Sequence, residues 1–119
     1  MSAQARPGYH TVTPRLFVSD PGALLAFLGE VFGATGEAVG GAPAEVRIGD
    51  SLLLVSGSEY REAMRTCLYV YVEDADATYA RAMAAGAASL EEPRETPYGD
   101  RRAMVQDAWG NAWQVASRL

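Results

Sequence analysis

The stretch Cys67-Leu68-Tyr69-Val70-Tyr71-Val72-Glu73-Asp74 decides how this chain is read, because a strand pattern in it runs straight into a helix start. Leu68, Val70 and Val72 alternate with Cys67, Tyr69 and Tyr71, which is the two-residue period of a β-strand. Asp74 or Asp76 then offers an N-cap, Tyr79, Ala80 and Met83 form an apolar stripe, and Gly86 supplies a stop. The same order occurs upstream in Thr13-Pro14-Arg15-Leu16-Phe17-Val18-Ser19-Asp20. There Val12 to Val18 alternates, Asp20 caps a helix with Pro21 in its first turn, and Leu24, Phe27, Leu28 and Val31 make the stripe. Gly33-Ala34 ends that helix as Gly86-Ala87 ends the other, so the chain reads as two similar halves.

Each helix is followed by a short strand and a hairpin. Glu45 to Ile48 turns through Gly49-Asp50 into Leu52 to Ser56, and Arg102 to Gln106 turns around Trp109-Gly110-Asn111 into Ala112 to Ser117. Each half is therefore βαβββ, with units at about 10–56 and 67–117, a linker over 57–66, and a polar excursion from Pro93 to Asp100. Residues 1–9 read as a disordered tail before a single domain over 10–119. Parity puts Val12, Leu16, Val18, Leu68, Val70, Val72 and Trp113 under the helices, and Thr13, Arg15, Phe17, Cys67, Tyr69 and Tyr71 on the opposite faces. The expected fold is α+β: tandem βαβββ units forming an eight-stranded cup of two mixed sheets, with one helix on each outer face.

Composition narrows the function classes. The chain has 119 residues, 49% hydrophobic, with a net charge of −5; such a surface repels nucleic acid phosphates and anionic membranes. All ten basic residues are arginine. Cys67 is the only cysteine, so the chain forms no internal disulfide and holds no CxxC pair. Residues 1–9 lack the apolar stretch of a secretory signal, and no apolar run reaches the ~18 residues of a membrane span. We expect a cytoplasmic protein with no nucleic acid or membrane partner.

The two strand-to-helix junctions, together with Tyr98-Gly99-Asp100-Arg101-Arg102 and Asp107-Ala108-Trp109-Gly110-Asn111-Ala112-Trp113, resemble the vicinal oxygen chelate superfamily of glyoxalases, bleomycin resistance proteins and extradiol dioxygenases. The resemblance runs from Tyr9 onward and is closest to the small glyoxalase-related, bleomycin-resistance-like branch. Ala108 and Trp109 stand where the family usually has proline and a smaller or aromatic residue. The resemblance implies a two-fold homodimer and, in catalytic members, a divalent metal held by His, Gln or Glu at four inward positions. Those positions fall here on Thr13, Leu54, Cys67 and Gln114. A hydroxyl, an aliphatic chain, a thiol and an amide make a poor divalent cage, so we expect no cofactor; Cys67 and Gln114 alone would supply part of a soft site.

Other chemistries are thinly represented. His10 is the only imidazole and precedes the first strand, which leaves no base for Ser-His or Cys-His catalysis. Glu45 is a candidate general base if it faces the cup, or else the ion-pair partner of Arg47 or Arg102. Neither a GxGxxG nor a Walker pattern occurs. The expected lining is Thr13, Arg15, Phe17, Leu54, Cys67, Tyr69, Tyr71, Arg102, Met104 and Gln114, with Trp109 over the mouth or against a partner subunit. Flat rings and forked arginine donors suit a small planar or anionic organic molecule, bound for sequestration of a drug or metabolite. The alternative is a glyoxalase- or dioxygenase-type enzyme, a lyase, isomerase or oxygenase, working with a metal or with Glu45. Open sheet edges lead us to expect a homodimer; light scattering at micromolar concentration should give twice the monomer mass, and a monomer would refute it.

Overall fold

In the computed structural model, which describes residues 4–37 and 42–119, the order of elements is β1 (Arg15–Val18), α1 (Pro21–Phe32), β2 (Ala44–Ile48), β3 (Ser51–Gly57), β4 (Cys67–Tyr71), α2 (Ala75–Ala84), β5 (Ala88–Glu95), β6 (Asp100–Gln106) and β7 (Ala112–Arg118). The fold is α+β with two mixed sheets. One has the order β1-β3-β2 and the other β4-β7-β6-β5. In each, the strand that leads into the helix runs parallel to the last strand of its unit, β1 beside β3 and β4 beside β7. The chain divides into two compact units between Met64 and Arg65, with Glu30–Phe32 grouped in the second.

The first unit follows its local signals. The Asp20 carboxylate accepts from the Ala23 amide at 3.0 Å, Pro21 sits at the first helical turn, and Gly33 caps the end in the left-handed conformation. Leu24, Phe27, Leu28 and Val31 are all buried. Sheet parity holds too, with Leu16, Val18, Ala44, Val46, Leu53 and Val55 buried on one face.

Two expectations for this unit need correction. The described residues contain seven strands rather than eight, because the strand expected between α1 and the hairpin is reduced to one bridge, Thr35 with Arg47. Two backbone bonds make it, at 3.1 and 2.8 Å. Gly36 follows with a φ of 154° and lies so close to β2 that a Cβ there would stand 2.4 Å from the Glu45 carbonyl oxygen. Only glycine fits that approach, and glycine is a weak strand former. The first strand also begins at Arg15, not Val12; Pro14 has no N–H to give a ladder, and Val12 is 80% exposed.

In the second unit the Asp74 carboxylate accepts from the Ala77 amide at 3.1 Å and starts α2. The buried stripe of α2 is Ala75, Thr78 and Ala82, not Tyr79, Ala80 and Met83. Small side chains let the helix lie close to its sheet, where Trp113, fully buried as parity required, takes up the volume. Tyr79 instead gives its hydroxyl proton to Ser89 Oγ at 2.8 Å, and Met83 is 37% exposed. The expected excursion from Pro93 to Asp100 is half strand: β5 runs on to Glu95 with bulges, and a tight turn over residues 96–99 brings the chain into β6 at Asp100. Pro93 is tolerated there because β5 is an edge strand.

The turn between β6 and β7 is built on Asp107. Its carboxylate accepts from the backbone amides of Trp109 and Asn111, from Asn111 Nδ2 and from Trp113 Nε1, at 2.9 to 3.1 Å. Asn111 Oδ1 in turn accepts from the Thr66 amide and hydroxyl, at 3.0 and 3.1 Å. Asp107→Ala would strand several buried donors at once, and a loss of about 3 kcal/mol is expected from the cost of unpaired buried groups. Urea denaturation checks it; an unchanged midpoint would show that the turn does not depend on this carboxylate.

Candidate functional site

Each sheet has one face away from its buried apolar layer, and the chemistry-bearing residues lie there. In the second unit the register places Cys67, Tyr69 and Tyr71 of β4 beside Ala112, Gln114 and Ala116 of β7, which in turn face Gln106, Met104 and Arg102 of β6. Cys67, Tyr69, Tyr71, Arg102, Met104 and Gln114 of the expected lining therefore share one face. The rings of Tyr69 and Tyr71 meet edge to face at 5.5 Å, and both stay exposed, at 37% and 60%. Trp109 is half-buried at the hairpin tip.

A buried carboxylate that the sequence reading passed over organises this face. Asp100 is fully buried, and one of its oxygens accepts from both Tyr69 and Tyr71 hydroxyls, at 2.8 and 2.9 Å. Arg118 closes an ion pair on the other oxygen. Burial works against ionisation of Asp100, but the hydrogen bonds from Tyr69, Arg118 and Tyr71 outweigh it and hold its pKa below the ordinary carboxylate value. The tyrosines respond in the opposite sense. Burial, and then the neighbouring Tyr98 and Asp100, push Tyr69 upward; the hydrogen bond to Asp100, and then burial, push Tyr71 upward.

Arg102, expected as an open donor, is already engaged. Its Nε and one terminal nitrogen donate to Glu91 at 3.0 and 2.8 Å, and the other terminal nitrogen donates to the Tyr98 hydroxyl at 2.7 Å. Arg94 adds a second cation to Glu91 at 2.9 Å. Tyr98 and Asp100 were missed because they lie on the misread excursion and Arg118 because it ends β7, while Glu91 lies inside β5, whose register was not read from the sequence. Two-residue spacing from Arg102 and Met104 back to Asp100 was the available signal.

In the first unit Arg15 sets its guanidinium 4.9 Å over the Phe17 ring and donates to Ser56 Oγ at 3.1 Å. The pairings Arg15 with Leu54 and Phe17 with Ser56 put these residues on one face, as parity predicts. Glu45 pairs with Leu54 across β2 and β3, but its partner is Arg6 at 3.7 Å rather than Arg47 or Arg102. Its side chain is half exposed. The Tyr9 hydroxyl lies buried near Glu45; its burial, and then Glu45, raise its pKa. His10 is exposed and hydrogen-bonded to the Asp50 carbonyl oxygen at 3.2 Å.

The residues present do not fit a divalent metal. Cys67 donates its thiol proton to Gln114 Oε1 at 3.6 Å, so those two expected positions do meet. Thr13 lies ahead of β1 instead of in it, and Leu54 brings no donor atom. Among the described residues, no three of His, Cys, Asp and Glu come together in a group that could hold a metal ion. A thiol and an amide oxygen do not complete a coordination sphere.

The depressed pKa of Asp100 fixes the sign of an acid-stability effect. A carboxyl with a lower pKa folded than unfolded contributes stability above its unfolded value, about 3.9, and loses it as pH falls through the folded value. Asp100→Asn should therefore flatten the fall of the urea midpoint between pH 5 and pH 2. Parallel curves for the variant and the parent protein would remove Asp100 from the acid limb.

Among proteins of curated function none matches this chain. Solved structures share the fold. TioX from Micromonospora sp. ML1 superposes with a TM-score of 0.78 at 24% identity, covering 92% of this chain and 99% of that one. A glyoxalase-related enzyme from Fulvimarina pelagi gives 0.74 at 21% identity, covering 92% and 88%. A glyoxalase/bleomycin resistance protein/dioxygenase family enzyme from Burkholderia phytofirmans PsJN gives 0.72 at 22%, covering 88% and 95%. At these identities the likeness speaks for the fold alone. No helix among the described residues is long and apolar enough to cross a membrane. Residues 9–115 match the Glyoxalase/Bleomycin resistance protein/Dioxygenase superfamily, nearly the whole chain, and the protein belongs to that family.

Proposed function

We propose that this protein binds a small planar organic molecule without a metal, as a sequestering protein of the bleomycin-resistance kind. The observation that carries this reading is the exposed Tyr69–Tyr71 pair on an open sheet face that also bears Met104, Gln114 and Cys67. Exposed aromatic rings on a flat, rigid support offer stacking area at little entropic cost, since a tyrosine has few rotatable bonds to freeze. The donor set at Thr13, Leu54, Cys67 and Gln114 supports the metal-free part. An anionic ligand finds its support in the first unit, where Arg15 makes one hydrogen bond and keeps the rest of its fork open among the described residues. Assembly as a homodimer in the cytoplasm belongs to the same reading, supported by the open edges of β4 and β5.

A thermal-shift screen against planar antibiotics and aromatic acids should raise the melting temperature for at least one class, because a ligand of the folded state alone adds stability by mass action. A flat response across a broad panel sinks the binding reading. Metal content of protein purified without chelators separates it from a metalloenzyme: stoichiometric nickel, zinc, iron or manganese, lost on Gln114→Ala or Cys67→Ala, would overturn the metal-free reading. Turnover abolished by Glu45→Gln with folding intact would favour a metal-free enzyme instead.

A further inference from the structure

The tyrosines of the second unit's open face have their hydroxyl protons fixed in direction. Tyr69 and Tyr71 each donate to the same Asp100 oxygen, at 2.8 and 2.9 Å. An ionised carboxylate only accepts, so both protons must point at it. Asp100 is fully buried and its other oxygen is taken by Arg118, which leaves it no freedom to turn elsewhere. A phenol whose proton is committed offers an incoming molecule only its oxygen lone pairs.

The cations of this face are committed as well. Arg118 donates to Asp100 and to the Tyr98 carbonyl oxygen, and Arg102 divides its fork between Glu91 and the Tyr98 hydroxyl. Asp100 balances Arg118 and Glu91 balances Arg102, while the second arginine on Glu91, Arg94, stands on β5, at the sheet edge opposite β4 and its tyrosines. Gln114, directly beside Tyr69 in the register, receives the Cys67 thiol proton on its oxygen and keeps its neutral N–H groups for an acceptor. The face thus combines ring area, two oriented acceptors and the uncharged N–H groups of Gln114, with the Tyr98 hydroxyl, whose oxygen accepts from Arg102, as a further neutral donor near Tyr69.

Building on the binding role proposed above, we infer that the Tyr69–Tyr71 end of this face recognises the N–H donor of an uncharged planar ligand, a carboxamide or an amino-substituted ring, and rejects a carboxylate in the same place. A carboxamide gives its N–H to the tyrosine oxygens and its carbonyl to Gln114. A carboxylate brings only acceptors to oxygens that already act as acceptors, and it gives up its hydration without replacement.

Calorimetric titration with three probes of one shape, naphthamide, methyl naphthoate and naphthoate, tests this in the parent protein and in the Tyr69→Phe/Tyr71→Phe double variant. The amide and the ester are both neutral and differ in the N–H donor. The expected result is naphthamide binding about tenfold tighter than methyl naphthoate, the worth of roughly one hydrogen bond, with naphthoate weakest and the amide preference gone in the double variant. Equal affinities, a preference for either acceptor-only probe, or a preference that survives the double variant overturns the inference while leaving planar-ligand binding intact. Failure of all three probes to bind overturns both. Should the double variant not unfold cooperatively, Tyr71→Phe alone reads the same ratio at a residue that is 60% exposed.

Discussion

Asp107 gathers four N–H groups onto one buried carboxylate, and the geometry of the second unit hangs on that convergence. Two of the donors are backbone amides that close the turn, one is the Asn111 side chain, and one is the indole of Trp113. The last two matter beyond the turn. Trp113 is the largest fully buried side chain, so the carboxylate satisfies the one polar atom of that ring inside the apolar layer. Asn111, held from below, presents Oδ1 to Thr66 and so docks the start of β4 against the start of β7. Gly110 completes the turn at a φ of 87°, with the Arg65 side chain packed where a Cβ would point. The register of β4 decides which side of the sheet Tyr69 and Tyr71 occupy, since a slip of one residue would exchange them with Leu68 and Val70.

At the other end of the same strands stands a second buried carboxylate with a different effect. Asp107 satisfies donors that belong to the scaffold, whereas Asp100 reaches hydroxyls that project onto the open face. Two arginines of this face, Arg102, which the sequence placed there, and Arg118, which it did not, pair with carboxylates from neighbouring strands, and Arg94 is a second cation on Glu91. The charge beside the tyrosines is therefore matched by Asp100, and the unmatched arginine, Arg94, stands at the β5 edge. In the first unit the balance differs, because Arg15 lies over Phe17 and shares only a serine hydroxyl.

The alternation of Leu16, Phe17 and Val18 and of Leu68 through Tyr71 settled which side chains share a sheet face, because period two in a strand is a geometric fact that packing does not alter. Asp20 and Asp74 announced both helix starts for an equally local reason, a side-chain oxygen within reach of an amide three residues on. Local reading failed where neighbours across the sheet decide. Val12 alternates correctly yet lies outside the strand, since Pro14 interrupts the ladder. Tyr79 and Met83 match a helical stripe as well as Thr78 and Ala82 do; only the closeness of the sheet selects the smaller pair. The excursion at Pro93 reads as a loop until β6 is present to pair with it.

For this protein the sequence by itself determined the α+β class, the repeated strand-to-helix order and which residues share a sheet face, all of which follow from periodicity and caps within a few residues of each other; the family was legible only as a resemblance of its motifs, which the match over residues 9–115 bears out. The tertiary structure alone decided that Thr35 forms a single bridge where a strand was expected, that Glu45 meets Arg6, that Arg102 is held by Glu91 and Tyr98, and that Asp100 orients two tyrosines. Those are pairings between side chains on different strands. Their partners are chosen by register and by the electrostatic need of a buried charge for a counterpart, and neither quantity exists until the strands are side by side.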